Sequence, residues 1–234
     1  MLYKGIDVSS WQGNIDWEKV KDNIDFAIIR GGYSTTFDSK AEYNLKMCNK
    51  LNIPCGVYWF SYAINKMDSF DEAETCLSLI KNYKLHYPVY FDFEDASTNY
   101  IKKAGVEVTK EIVSAITESF CKCIESNGYF VGIYSNENYL KNYFSTELLQ
   151  KYALWYAYWK ESKNRNVPMW QYSSEGKING IVGNVDLNIS YVDYPAIIQK
   201  NGLNHLNKVS VKDIRDKLNE IYSLLDRGEK NGFE

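Results

Sequence analysis

Short apolar runs rich in β-branched and aromatic residues recur along the chain, separated by stretches in which apolar positions return every three or four residues. The runs at 2–8, 25–31, 54–62, 87–94, 129–135, 153–159, 168–173 and 183–189 read as eight strands. Helical periodicity occupies about 16–23, 38–51, 67–83, 107–127 and 136–151. Near-continuous apolar strands alternating with helices describe a parallel sheet with both faces out of water, and eight of them predict closure into a barrel. The gaps at 160–167 and 174–182 are too short, and too rich in Gly, Asn, Ser and Lys, for crossover helices. The expected fold class is therefore α/β, a modified TIM-like (β/α) barrel with eight strands and fewer helices, its last strands joined by loops or hairpins. An open doubly wound sheet is the competing arrangement.

In a barrel of this kind the strand ends and the loops after them form the active face. Four acids fall at such places: Asp7 in "GIDVSS", Asp92 and Glu94 in "FDFED", and Asp186 in "GNVDLN". Residues two apart on a strand share a face, so Tyr90, Asp92 and Glu94 are expected to point into the barrel mouth while Phe91 and Phe93 pack beneath helices. Acids at strand ends also serve as helix caps, and Asp95, followed by "ASTN", fits that simpler role. Four acids on three converging strands form a stronger pattern, because crowded carboxylates raise one another's pKa and can leave one protonated near neutrality. A proton held there is what a general acid requires.

Aromatic residues narrow the substrate class. The chain has 20 Tyr, 10 Phe and 6 Trp, and several stand beside the acids. Their flat rings suit the apolar faces of sugars, while OH and NH groups reach hydroxyls; about half are expected to fill the core instead. Paired carboxylates in an aromatic cleft favour glycoside hydrolysis. Acids also bind Mg²⁺ or Ca²⁺, which keeps a metal-dependent hydrolase in view, but His86 and His205 are the only histidines and a zinc site is not expected. No metal and no cofactor is called for.

Charge and cysteine content exclude other classes. A net charge of −3 without a basic cluster does not fit nucleic acid or an anionic membrane surface. No apolar run approaches a membrane span, and the N-terminus lacks the charged-then-apolar pattern of a secretory signal. Cys48, Cys55, Cys76, Cys121 and Cys123 are odd in number and read as reduced core thiols, expected of a protein made in a reducing cytoplasm.

The blocks "KGIDVSSWQGNIDW", "FAIIRGGY", "CGVYWFSYA", "YFDFED", "VGIYSN", "LWYAYW" and "MWQYSSEGKINGIVGNVDLN" occur in this order. Together they resemble glycoside hydrolase family 25, the Chalaropsis-type lysozymes, over about residues 2–192. The resemblance implies cleavage of the β-1,4 bond between N-acetylmuramic acid and N-acetylglucosamine in bacterial peptidoglycan, with retention of configuration. It makes Glu94 the general acid and later the base, Asp92 its partner, and Asp7 and Asp186 the other two active-site aspartates. A direct nucleophile and assistance by the substrate's own acetamido group both remain open. Tyr58, Tyr62, Tyr134, Trp155 and Gln171 are the expected sugar-contacting wall, and Arg30 is expected to pair with an acid. Without a visible signal the chain is similar to a phage endolysin, made in the host cytoplasm and acting on the wall once another phage protein has opened the membrane. A glycosidase on another N-acetylated glycan such as chitin, and a non-catalytic carbohydrate-binding barrel, are the alternatives.

The expected domain layout is a catalytic barrel over 1–194, a linker over 195–209 and a helical segment over 210–234. In the last, Ser210 and Asp213 resemble a capping box and Gly228 a helix stop. Val211, Ile214, Leu218, Ile221 and Leu225 form a heptad seam. A helix this short is marginal alone in water, so the seam over 211–225 is expected to be covered by the barrel, by a second copy of the chain in a homo-oligomer, or within a cell-wall-binding module.

Overall fold

A computed structural model describes residues 2–206 and, farther along, 215, 218 and 219. The strands are β1 (Tyr3–Val8), β2 (Phe26–Tyr33), β3 (Thr36–Phe37), β4 (Cys55–Phe60), β5 (Val89–Asp92), β6 (Val131–Asn136), β7 (Ala153–Ala157), β8 (Met169–Gly176) and β9 (Val185–Ser190). Eight of them close a barrel, because β1 pairs with both β2 and β9, while β3 is a short antiparallel flap on β2. Pairing is parallel from β1 through β2, β4, β5, β6 and β7 to β8.

The ring is mixed, since β9 runs antiparallel to both of its neighbours. The connection over 177–184 is shorter than the dozen or so residues a parallel crossover needs, so the chain has to turn back. Gly180 makes that turn with φ +102, and a Cβ there would lie 2.6 Å from the Asp16 carbonyl. The expected departure from an eightfold barrel is thus a hairpin, and it reverses which end of β9 faces the mouth.

Helices α1 (Trp17–Val20), α2 (Ala41–Lys50), α3 (Lys66–Ile80), α4 (Asp95–Lys103), α5 (Lys110–Ser126), α6 (Glu137–Asn142) and α7 (Thr146–Lys151) cover the outside. Phe91 and Phe93 are fully buried in this outer layer, Phe91 against Phe120 of α5 and Phe93 against Phe144. The five cysteines are free and buried. Inside the barrel a second cluster holds Phe26, Ile28, Tyr90, Tyr134, Trp155 and Met169. Gly132 makes room for it: a Cβ at that position would sit 2.5 Å from the Tyr90 ring.

Three segments differ from the sequence reading. The helix α4 has no apolar stripe to reveal it, because its buried residues are Ser97, Thr98 and Ile101. Periodicity over 136–151 runs through two helices, broken where Ser145 caps α7 with its side chain. Finally, 195–209 reads as a linker, yet its first part belongs to α8 (Tyr194–Lys200), whose buried Tyr194 and Ile198 join the interior cluster and close the barrel bottom. Past α8, buried Asn204 accepts from the Phe130 amide at 2.7 Å and donates to the carbonyls of Leu85 and Tyr87 at 3.0 Å each. The seam over 211–225 lies outside the described residues apart from Arg215, Leu218 and Asn219, all exposed.

Candidate active site

The top of the barrel is as polar as its bottom is aromatic. Asp7 stands near the end of β1 and Asp92 ends β5, while Asp186 is the second residue of β9. In an antiparallel strand the beginning lies at the rim where the parallel strands end, and Asp186 is the direct register partner of Asp7. Glu94 lies two residues beyond Asp92 and is the N-cap of α4, in extended backbone at φ −142, ψ −166. The amide of Glu94 donates to Ser97 Oγ at 3.3 Å and its carbonyl accepts from Thr98 at 3.1 Å, which fixes the backbone from which its side chain projects. All four acids line one cavity of about 230 Å³.

Burial and hydrogen bonding set the four acids apart. Asp7 accepts from Gln171 Nε2 at 2.9 Å and Asn188 Nδ2 at 2.8 Å, and Gln171 Nε2 also approaches Asp186 at 3.3 Å. Burial raises the pKa of both aspartates, and the bond between them raises Asp7 while lowering Asp186. Asp92 is driven well above the ordinary aspartate range, first by burial and then by the charges of Glu94 and Asp7, with Arg30 opposing. Its Oδ1 is buried without a hydrogen-bond partner among the described residues. Burial pushes Glu94 up to about 7; Tyr134 pulls it down, and Asp95 and Asp186 push it further up.

The expected wall residues divide between two places. Tyr58, Tyr134, Trp155 and Gln171 line the acid cavity. Trp155 and Gln171 are each 1% exposed and spend their polar atoms inside the protein, the indole donating to Asn188 Oδ1 at 2.8 Å. Gln171 Oε1 takes hydrogen bonds from Tyr134 at 2.9 Å and Trp159 at 3.0 Å. Tyr62 lies past the end of β4 and lines an adjoining groove of about 600 Å³ with Ser10, Trp11, Arg30, Tyr33 and Phe60. Trp11, Arg30 and Phe60 face both spaces, so groove and cavity are continuous. Arg30 pairs with an acid: its Nε donates to Asp38 Oδ2 at 2.7 Å and its Nη2 to Ser10 Oγ at 3.0 Å. Its place follows from the irregular register between Arg30 and Gly32, where one extra residue of β2 bends the strand at the rim. Asp95 is the first residue of α4, not its cap, and accepts from the Tyr139 hydroxyl at 2.6 Å.

Among the described residues no group of three or more His, Cys, Asp or Glu is arranged to hold a metal ion, and no helix is long and apolar enough to cross a membrane.

The family profile described as Glycosyl hydrolases family 25 matches residues 6–181, which runs from β1 through β8 and takes in Asp7, Asp92 and Glu94, and stops short of β9 and Asp186. The chain belongs to glycosyl hydrolase family 25. The modular autolysin LytC of Streptococcus pneumoniae, solved in complex with a synthetic peptidoglycan ligand, is 31% identical with a TM-score of 0.73 over 81% of this chain and 47% of its own. A family 25 glycosyl hydrolase of Bacillus anthracis is 26% identical with a TM-score of 0.68, over 81% of this chain and 89% of that one. By sequence, the autolytic lysozyme of Clostridium acetobutylicum is 25% identical over 189 residues, 79% of this chain and 54% of that protein. The chain thus spans about half the length of LytC and of the autolytic lysozyme.

Within this family 25 barrel, sequence reasoning missed two residues that line the cavity, Trp11 and Phe60, and two that hydrogen-bond its wall, Asn188 and Trp159. Asn188 follows Asp186 by two positions in "GNVDLN", so strand alternation could have placed both at the mouth. Trp159 follows strand residues already singled out. Trp11, 83% exposed at the rim, carried no signal beyond lying four residues after Asp7.

Proposed function

We propose that this protein is a peptidoglycan hydrolase, an N-acetylmuramidase that cleaves the β-1,4 bond between N-acetylmuramic acid and N-acetylglucosamine. The observation that carries the reading is the pairing of Glu94, its pKa raised to about 7, with Asp92 in one buried cavity. Glu94 holds a proton at neutral pH and gives it to the glycosidic oxygen as the bond to the anomeric carbon breaks. Asp92 Oδ1 has no donor among the described residues, and a buried carboxylate oxygen calls for one. The N–H of the 2-acetamido group supplies it, which orients the acetamido oxygen to attack the anomeric carbon and places negative charge beside the resulting oxazolinium. Water then adds to the anomeric carbon and returns a proton to Glu94, so configuration is retained and the enzyme is regenerated. Asp7 and Asp186, bridged by Gln171, shape the floor of the cavity through their hydrogen bonds.

Purified cell walls should lose turbidity, and mass spectrometry should find new reducing ends on N-acetylmuramic acid. The Glu94→Gln variant should remain folded and lose at least about a thousandfold in kcat, since the transferable proton is gone at constant volume. Reducing ends on N-acetylglucosamine, or chitin cleaved in preference to cell wall, would instead identify a glycosidase of another N-acetylated glycan. Binding without cleavage would mark a carbohydrate-binding barrel. The setting we propose is a phage endolysin: expressed inside bacteria, it should lyse them only when a membrane-opening phage protein is co-expressed. Lysis without that partner would contradict this setting while leaving the chemistry intact.

A further inference from the structure

Glu72, on α3, is a buried acid outside the cavity that the chemistry above does not use. It is 1% exposed, and burial lifts its pKa to about 7. Keeping a carboxyl there is costly unless it serves something. Its Oε1 accepts the backbone N–H of Tyr62 at 2.7 Å, and its Oε2 has no partner among the described residues.

Tyr62 sits in the loop from β4 to α3, and that loop is tied down amide by amide. The Ser61 amide donates to the Asp92 carbonyl at 2.9 Å, the Ala63 amide to Ser61 Oγ at 3.2 Å and the Ile64 amide to Asp68 Oδ2 at 3.1 Å. The amide held by the Asp92 carbonyl and the amide held by Glu72 thus belong to consecutive residues, Ser61 and Tyr62. The Tyr62 ring in turn touches Tyr33 (centroids 6.3 Å), Phe60 (5.1 Å) and Tyr100 (5.2 Å), forming a row of rings along the groove that opens into the acid cavity. An ionised carboxylate makes one of the stronger hydrogen bonds available to an amide, so Glu72 bears directly on the backbone from which the Tyr62 ring projects.

We propose that Glu72 is a positioning residue: by anchoring the Tyr62 amide it fixes the Tyr62 ring as a platform for the N-acetylated glycan chain beyond the scissile bond. This rests on the hydrolase reading for its substrate class. Anchoring a platform affects glycan binding and leaves proton transfer by Glu94 alone, so its loss should appear in KM and not in kcat.

Soluble peptidoglycan glycan strands are the probe, with kcat and KM measured well below each variant's Tm. Glu72→Met, close in volume but without an acceptor, should raise KM about tenfold with kcat within about twofold. Glu72→Gln, which retains an acceptor oxygen, should restore KM. Tyr62→Ala should raise KM similarly, and Glu72→Met added to it should change nothing more, because the acid acts through that ring. Glu72→Asp withdraws the carboxyl by one methylene and should give an intermediate KM; it stands in should the Met variant not fold. Independent effects of Glu72→Met and Tyr62→Ala on KM, or an unchanged KM in folded Glu72→Met and Glu72→Asp, would overturn the proposal. If the wild type cleaves no glycan, the hydrolase reading has failed, and Kd for the same strands, read by tryptophan fluorescence, replaces KM across these variants. A wild type that also binds none overturns both.

Discussion

Under the proposed chemistry, Glu94 carries opposite consequences for activity and stability. Its proton is retained to about 7 in the folded protein against 4.5 for an ordinary glutamate. Between those values the folded state binds a proton that the unfolded chain has released, so unfolding free energy falls as pH rises through the window. Glu94→Gln escapes that penalty. It should melt higher than wild type at pH 8, by up to roughly 3 kcal/mol in stability, with the difference closing toward pH 4; calorimetry across pH checks the sign. Activity follows the same proton in the other sense: kcat/KM should fall on the alkaline side of about 7 as Glu94 ionises. On the acid side it should fall above the usual aspartate range, as Asp92 takes up a proton. Phe93, between these two acids, faces the other way and is fully buried against Phe91, Tyr139 and Phe144. Phe93→Ala should cost about 3–5 kcal/mol by chemical denaturation. Equal denaturation midpoints would contradict the alternation of side chains across β5.

At the scale of elements, the site depends on three local decisions. A one-residue irregularity in β2 turns Arg30 toward the rim. A helix beginning directly after β5 makes Glu94 its N-cap, so the acid stands on a rigid junction instead of a free loop. The reversed β9 carries Asp186 to the mouth at its start, where a parallel strand would have presented its end. The bottom of the barrel relies on a comparable device, for Asn204 bridges the chain ahead of β5 and β6 through three hydrogen bonds. Asn204→Ala leaves one amide and two carbonyls there without partners and should destabilise by about 2–4 kcal/mol. A Tm within a degree of wild type would show instead that residues past α8 behave as a linker.

Across the whole molecule, a row of rings closes one end of the barrel and four acids open the other, with the groove along Trp11, Tyr33 and Tyr62 leading in from the side. For the segment after the described barrel we retain the self-association proposal carried by the 211–225 seam. Leu218→Asp should then convert a dimer to a monomer by light scattering, and an unchanged mass would remove that proposal. Eight strands, the alternation around Asp92 and the four acids were legible in the sequence, because strand periodicity and an acid after an apolar run are local signals. The helix α4 was hidden because Ser97 and Thr98 take core positions that apolar periodicity does not mark, and α8 because a Pro, Asn and Gly surround two buried residues. Local patterning by itself determined the barrel strands and the opposite faces taken by Asp92 and Glu94 on one side and Phe91 and Phe93 on the other. Only the closed tertiary structure decided that Asp7 and Asp186 meet across β1 and β9, that Asp92 Oδ1 is buried without a partner among the described residues, and that the Tyr62 amide meets Glu72 beside the groove. Those outcomes depend on burial and on contacts between residues distant in the chain, neither of which a one-dimensional pattern contains.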